Sequence, residues 1–207
     1  MRKRNGILFL AGVAMTLLLA ACGGTAGPLE DSSADAQEVG SSETVQTGET
    51  RKPDESVSKE FQNALKSAER YASNLHMSKQ GIYDQLTSEY GDQFPEDAAQ
   101  YAVDNLDADW NANALAKAAD YGNSMHMSKQ GVYDQLTSEY GEQFTAEEAQ
   151  YAIDHVEANW KNNALEKAKD YQDSMSMSKK AIYDQLTSEY GEQFTAEEAQ
   201  YAVDNLE

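Results

Sequence analysis

The side chains whose type and spacing best suit acid–base chemistry are the adjacent carboxylates Glu147 and Glu148, repeated as Glu197 and Glu198. Such a pair works as acid and base only where burial or a neighbouring charge drives the two pKa values apart. These pairs instead follow Thr145 and Thr195, where an acidic first helical turn offsets the macrodipole. Metal chemistry has less to stand on. His76 and His126 occupy equivalent positions, but Ser176 replaces them in the third copy; His155 is matched by Asn105 and Asn205, and no H-E-x-x-H spacing occurs. Asp104, Asp107 and Asp109 suggest a calcium loop, yet its sixth position requires glycine and its twelfth an acid, where Asp109 and Leu115 stand. No Ser/His/Asp or Cys/His arrangement recurs, and neither G-x-S-x-G nor a P-loop is present. The expectation is a protein without enzymatic activity, cofactor or metal.

One nucleophile remains, Cys22, the single cysteine of the chain. It cannot form an intramolecular disulfide. Arg2, Lys3 and Arg4 precede the largely apolar run Ile7 to Ala21, which is the order of a secretory signal and is too short to span a bilayer core of about 20 helical residues. Leu19-Ala20-Ala21-Cys22 resembles the bacterial lipobox. That resemblance implies lipidation of the Cys22 sulfur, cleavage after Ala21, and a chain anchored on the outer face of the bacterial membrane by more than one acyl chain.

Charge narrows the partners. The chain carries a formal net charge of −20, and cleavage after Ala21 would remove Arg2, Lys3 and Arg4, making it more negative still. Such a surface repels phosphate backbones and anionic lipid, so nucleic acid is not an expected partner; neutral or basic ones are.

The elements that must position these residues are tandem repeats. Tyr-Asp-Gln-Leu-Thr-Ser-Glu-Tyr-Gly occurs at Tyr83 to Gly91, Tyr133 to Gly141 and Tyr183 to Gly191, each copy displaced by 50 residues. A fixed period of this size means one helical unit used repeatedly, with function to be sought on a repeated surface. The expected organisation is a signal peptide over 1–21, a lipidated cysteine with an acidic, disordered tether over 22–58, and repeats over 59–108, 109–158 and 159–207. As a flexible coil of about 35 residues the tether would span about 30 to 35 Å.

Within each repeat the apolar spacing predicts three helices. Phe61, Leu65, Ala68, Tyr71, Ala72 and Leu75 form one face of a first helix. Ser78 caps a short second helix carrying Ile82, Leu86 and Tyr90, with Gly91 placed to end it in a left-handed conformation. A third begins with the capping boxes Thr145 to Glu148 and Thr195 to Glu198, whereas Pro95 leaves the first copy without a side-chain cap. No Gly or Pro interrupts Glu96 to Tyr121 or Ala146 to Ser174, so the third helix of one repeat is expected to run into the first of the next as a rod about 45 Å long. The alternative is a break near Asn111 to Asn113, where poor helix formers cluster. The fold class is therefore all-α, with three helix-turn-helix-like repeats of about 50 residues linked by long helices after a disordered tether.

The twelve tyrosines lie four to a repeat and are expected mainly in the cores, with Tyr83, Tyr133 and Tyr183 facing outward. Trp110 and Trp160 stand at the repeat junctions and are expected to pack there. Acidity is what recurs outside the predicted core. The candidate partner-binding residues are Asp84, Glu89 and Asp92; Asp134, Glu139, Glu142, Glu147 and Glu148; and Asp184, Glu189, Glu192, Glu197 and Glu198.

The spaced pattern Ala-Leu, Ala, Tyr, Met-Ser-Lys, Gln-Leu-Thr-Ser-Glu-Tyr-Gly, Gln-Phe-Thr, Ala, Tyr-Ala-Val-Asp, seen whole from Ala164 to Asp204, resembles the repeat of the Ltp family of host cell surface-exposed lipoproteins. The resemblance covers all three repeats. It implies small helix-turn-helix units without a DNA-binding role, and superinfection exclusion, in which phage DNA entry is blocked after adsorption. The implied partner is an incoming phage tail component such as the tape measure protein. The competing reading is a surface adhesion or wall-associated spacer module, in which the tryptophans and exposed tyrosines contact glycan or protein.

Overall fold

A computed structural model describes residues 57–207. The expected signal sequence, Cys22 and the expected tether up to Ser56 lie outside the described residues. Each repeat is three helices. The first helices are α1 (Lys59–Leu75), α4 (Trp110–Ala119, continued by a π-helical turn Asp120–Ser124) and α7 (Trp160–Met175). The second are α2 (Lys79–Thr87), α5 (Lys129–Thr137) and α8 (Lys179–Thr187); the third are α3 (Glu96–Asn105), α6 (Ala146–His155) and α9 (Ala196–Asp204). Among the described residues there is no strand, and the architecture is all-α.

Alanine sets the packing. Ala64, Ala68 and Ala72 of α1 lie against Ala98, Ala99 and Ala102 of α3, and the absence of larger side chains lets the two backbones approach closely. Ile82 and Leu86 of α2 close the core and are wholly buried, each stabilising the unit by about 1.5–3 kcal/mol. The other two repeats build the same core around Val132 and Leu136, and around Ile182 and Leu186. Leu75, expected on the core face of α1, is about half exposed because that face centres on the alanines.

Caps define the helices. Ser78, Ser128 and Ser178 accept from the backbone N–H three residues on, and both predicted capping boxes, Thr145 with Glu148 and Thr195 with Glu198, are formed. Pro95 gives α3 no side-chain cap.

The expected continuous rods do not form. Helix α3 ends at Asn105 and α4 begins at Trp110; α6 ends at His155 and α7 begins at Trp160. The break lies upstream of Asn111, and its cause is capping: the Asp109 and Asn159 side chains accept from the N–H groups of Ala112 and Asn162 and start new helices. Nor does Gly91 end the second helix in a left-handed conformation. Helix α2 stops at Thr87, and the left-handed residues are His76, His126 and Ser176 after the first helices and Gln93, Gln143 and Gln193 in the loop before the third. Gly91, Gly141 and Gly191 are required by space: a Cβ there would collide with the carbonyl oxygen of Gln85, Gln135 or Gln185.

Successive repeats are fastened mainly by side chains from the later one, with the linker residue Ala108 beside them. Trp110 and Ala108 pack on the first core, Trp160 on the second. The Asn113 amide donates to the Met77 carbonyl at 3.0 Å, and Asn163 donates to the carbonyls of Gly122 (2.6 Å) and Met127 (3.0 Å). Asn113, read as one of a cluster of poor helix formers, is thus a buried staple of the first junction, as Asn163 is of the second. Gln143 and Gln193 add a second pair of staples, donating to Asp84 at 2.8 Å and Asp134 at 2.9 Å.

Candidate functional site

The repeated acidic residues do not form one uniform face. Asp84 and Asp134 lie in the junctions, each accepting from a glutamine one helical turn earlier (Gln80, Gln130; 2.8 Å) and from the next repeat's glutamine. Asp184 instead pairs with Lys180 at 2.8 Å. Asp92, Glu142 and Glu192 are turned toward the first helix of their own repeat. Tyr71 donates to Asp92 at 2.9 Å, Tyr171 to Glu192 at 2.6 Å, and Tyr121 to Glu142; Lys117 and Lys167 reach Glu142 and Glu192 at 3.1 and 3.6 Å. Partial burial, and after it the hydrogen bond to the carboxylate, raises the hydroxyl pKa of all three tyrosines, with Tyr171 pushed up to about 12. These acids hold the unit together.

Glu148 and Glu198 accept from the backbone N–H groups of Thr145 and Thr195 at 2.9 and 2.8 Å and serve as caps. Glu197 is exposed and paired with Lys161 at 2.6 Å, and that hydrogen bond lowers its carboxyl pKa and raises that of the ammonium. Glu147 is exposed. Glu89, Glu139 and Glu189 are exposed too, in the loop between the second and third helices, and their carboxylates have no hydrogen-bonding partner among the described residues. Of the candidate set, these loop glutamates are the threefold element left open to solvent.

Beside each stands the feature that sequence reasoning missed. Tyr90, Tyr140 and Tyr190, expected on the core side of a longer second helix, are 92%, 93% and 93% exposed. None of the twelve tyrosines is buried, and Tyr83, Tyr133 and Tyr183, expected outside, pack partly against their cores. The available signal was the turn chemistry of Ser88-Glu89-Tyr90-Gly91, which ends the helix before the tyrosine.

Stacking creates a further repeated surface. Lys79, Gln80, Tyr83, Gln100, Val103, Gln143, Thr145 and Glu148 line a cleft of about 500 Å³ at the first junction. The equivalent residues, from Lys129 to Glu198, line one of about 350 Å³ at the second. Among the described residues no three His, Cys, Asp or Glu side chains converge as metal ligands, and no helix is long and apolar enough to cross a membrane.

The same units appear in a family model described as host cell surface-exposed lipoprotein, Ltp, which matches residues 59–106, 109–156 and 159–206. The chain belongs to this family of surface lipoproteins. A solved structure described as Ltp, a superinfection exclusion protein from the Streptococcus thermophilus temperate phage TP-J34, is 42% identical, with 49% of this chain and 99% of that chain covered and a TM-score of 0.45. No curated protein is significantly similar to the chain. The family match places one Ltp repeat on each three-helix unit, so the junction staples are contacts between successive Ltp repeats.

Proposed function

We propose that this lipoprotein is anchored through Cys22 on the outer face of the cell membrane and excludes superinfecting phage by binding a tail component, such as the tape measure protein, as it arrives. The observation that carries the reading is the threefold family match, which spans every described helix; the 42% identical relative is described as a superinfection exclusion protein. The electrostatics support it. An acidic array held near the membrane attracts a basic tail segment, and three copies on one chain raise the effective concentration for an elongated partner. The open loop acids Glu89, Glu139 and Glu189, with Glu147, supply the charge complementarity, whereas Asp84, Asp92, Asp134, Glu142 and Glu192 act indirectly by holding the repeats in shape.

The test is phage challenge of a permissive host expressing the chain, with adsorption and intracellular phage DNA scored separately. Normal adsorption with lost DNA entry for at least one phage is the expected result. Unchanged entry across a broad panel would favour the adhesion or wall-associated reading. Cys22→Ala at equal extracellular abundance should lose protection, because soluble protein forgoes the local concentration; equal protection would remove the anchor from the mechanism.

A further inference from the structure

Tyr90, Tyr140 and Tyr190 are more than nine-tenths exposed, yet the loops that carry them are tightly built. After the second helix stops, its last carbonyls are taken up by the loop itself: Asp92 N–H donates to Gln85 and Phe94 N–H to Leu86, at 3.1 and 2.8 Å, and the same bonds recur in the other two repeats. The Ser88 hydroxyl accepts from the Tyr90 N–H at 3.2 Å and the Ser88 carbonyl from the Gly91 N–H at 2.9 Å; Ser138 and Ser188 do the same. Gly91 fits against Gln85 only because it lacks a side chain. The aromatic ring is therefore presented on a fixed backbone with little ordering entropy left to lose on contact.

The geometry points to these three tips as the contact points for a partner polypeptide bearing arginines, each guanidinium lying on the tyrosine face while the neighbouring Glu89, Glu139 or Glu189 carboxylate accepts its N–H groups. A planar cation fits a ring and a carboxylate side by side better than an ammonium does. Other occupants fit less well. Nucleic acid and anionic lipid meet the wrong charge, and two copies of this chain would bring glutamate against glutamate. The inference deepens the exclusion reading, on which it rests for where a basic tail segment would meet the array, and it narrows the contact to the loop tips, where each open glutamate is followed by an exposed tyrosine.

The test is binding of a synthetic alanine-based helical peptide with arginine at every fourth or fifth position to the full chain in detergent micelles. It is read by tyrosine fluorescence and titration calorimetry at low salt, with a lysine version and a zwitterionic lipid vesicle alongside. Wild type should bind the arginine peptide more tightly than the lysine one. The triple variant Tyr90→Ala, Tyr140→Ala, Tyr190→Ala should weaken arginine binding about ten-fold or more and erase the preference, at about two- to five-fold per tip. The corresponding Phe variant should bind within a few-fold of wild type, since the face of the ring carries the contact. Because these rings touch little of the fold, the Ala variant should melt with the wild type. Undiminished binding by the Ala variant, no arginine preference, or tyrosine-dependent binding to the vesicle instead of the peptide would each overturn the assignment. The readout involves no phage, so its failure leaves the exclusion reading standing, and failed exclusion leaves the tip chemistry decided by the peptide.

Discussion

In the second repeat, Lys117 and Tyr121 of the first helix both reach Glu142; in the first repeat the same positions hold Ser67, Tyr71 and Asp92. Aspartate is one methylene shorter and serine carries no charge. One Asp92 oxygen is consequently buried without a hydrogen-bonding partner among the described residues, and Arg70 donates to Ser67 instead. The third helix differs in the same direction, capped by Thr145 and Glu148 in the second repeat and started by Pro95 in the first. The junction side differs too. Gln143 reaches back to Asp84, while Gln93 folds onto the Glu89 carbonyl of its own repeat. One plan thus yields an inner unit fastened by charge, cap and neighbour and an end unit in which each fastening is reduced. Position in the array changes what a given residue contributes, as expected where stability is a sum of unit and interface terms.

The largest test of that difference is to sever a junction. Trp160→Ala should cost about 3 kcal/mol, because the ring packs on the second core and against Gly122, and denaturant unfolding should then separate the third repeat from the first two. A single unshifted transition would show that the repeats do not depend on the indole. Next, Lys117→Ser gives the second repeat the first repeat's residue and should cost about 2 kcal/mol, since it removes one partner of a mostly buried pair with side chains 21% and 16% exposed. The converse pair, Ser67→Lys with Asp92→Glu, should raise stability by about 1 kcal/mol if the missing lysine is what distinguishes the units.

A smaller effect is expected in alkali, where solvent access screens the interaction. With its folded pKa pushed up to about 12, Tyr171 keeps its proton longer in the folded state than in the unfolded chain. Its contribution is therefore complete below about pH 10 and lost as pH rises through about 12. Subtracting the pH–stability profile of Tyr171→Phe from that of the wild type should show a decline confined to this window. The smallest effect should come from Pro95→Thr, which supplies the first repeat with the cap it lacks and should raise its melting stability by about 0.5–1 kcal/mol.

Much of the local structure was legible from residue types alone. The Ser78 caps and the Thr145 and Thr195 boxes are short-range chemistry between a side chain and a backbone three residues away, and they appear as read. The junction placement of Trp110 and Trp160 followed from their occurrence only there. The candidate site was less legible. A glutamate in the sequence carries no mark of whether its carboxylate will meet a tyrosine 21 residues away, as Glu142 does, or solvent, as Glu139 does. The absence of Gly and Pro between α3 and α4 suggested continuity, but Asp109 can end one helix and start another by capping, and Trp110 gains its packing only if the chain turns there.

The sequence by itself determined the period of 50 residues, the all-α units, their main caps and the acidic balance, because each is expressed in neighbours along the chain or in a repeated word. Tertiary structure decided the rest. It selected which acids become staples, set left-handed turns at His76 and Gln93 where no glycine advertises them, and matched the π-helical turn at Gly122 to the Asn163 amide that takes its carbonyl. It also left Tyr90, Tyr140 and Tyr190 in solvent. Apart from the tyrosines, whose helix a local turn signal ends, these outcomes depend on which surfaces meet when the helices of one repeat pack together and one repeat stacks on the next, and a local pattern does not encode that meeting.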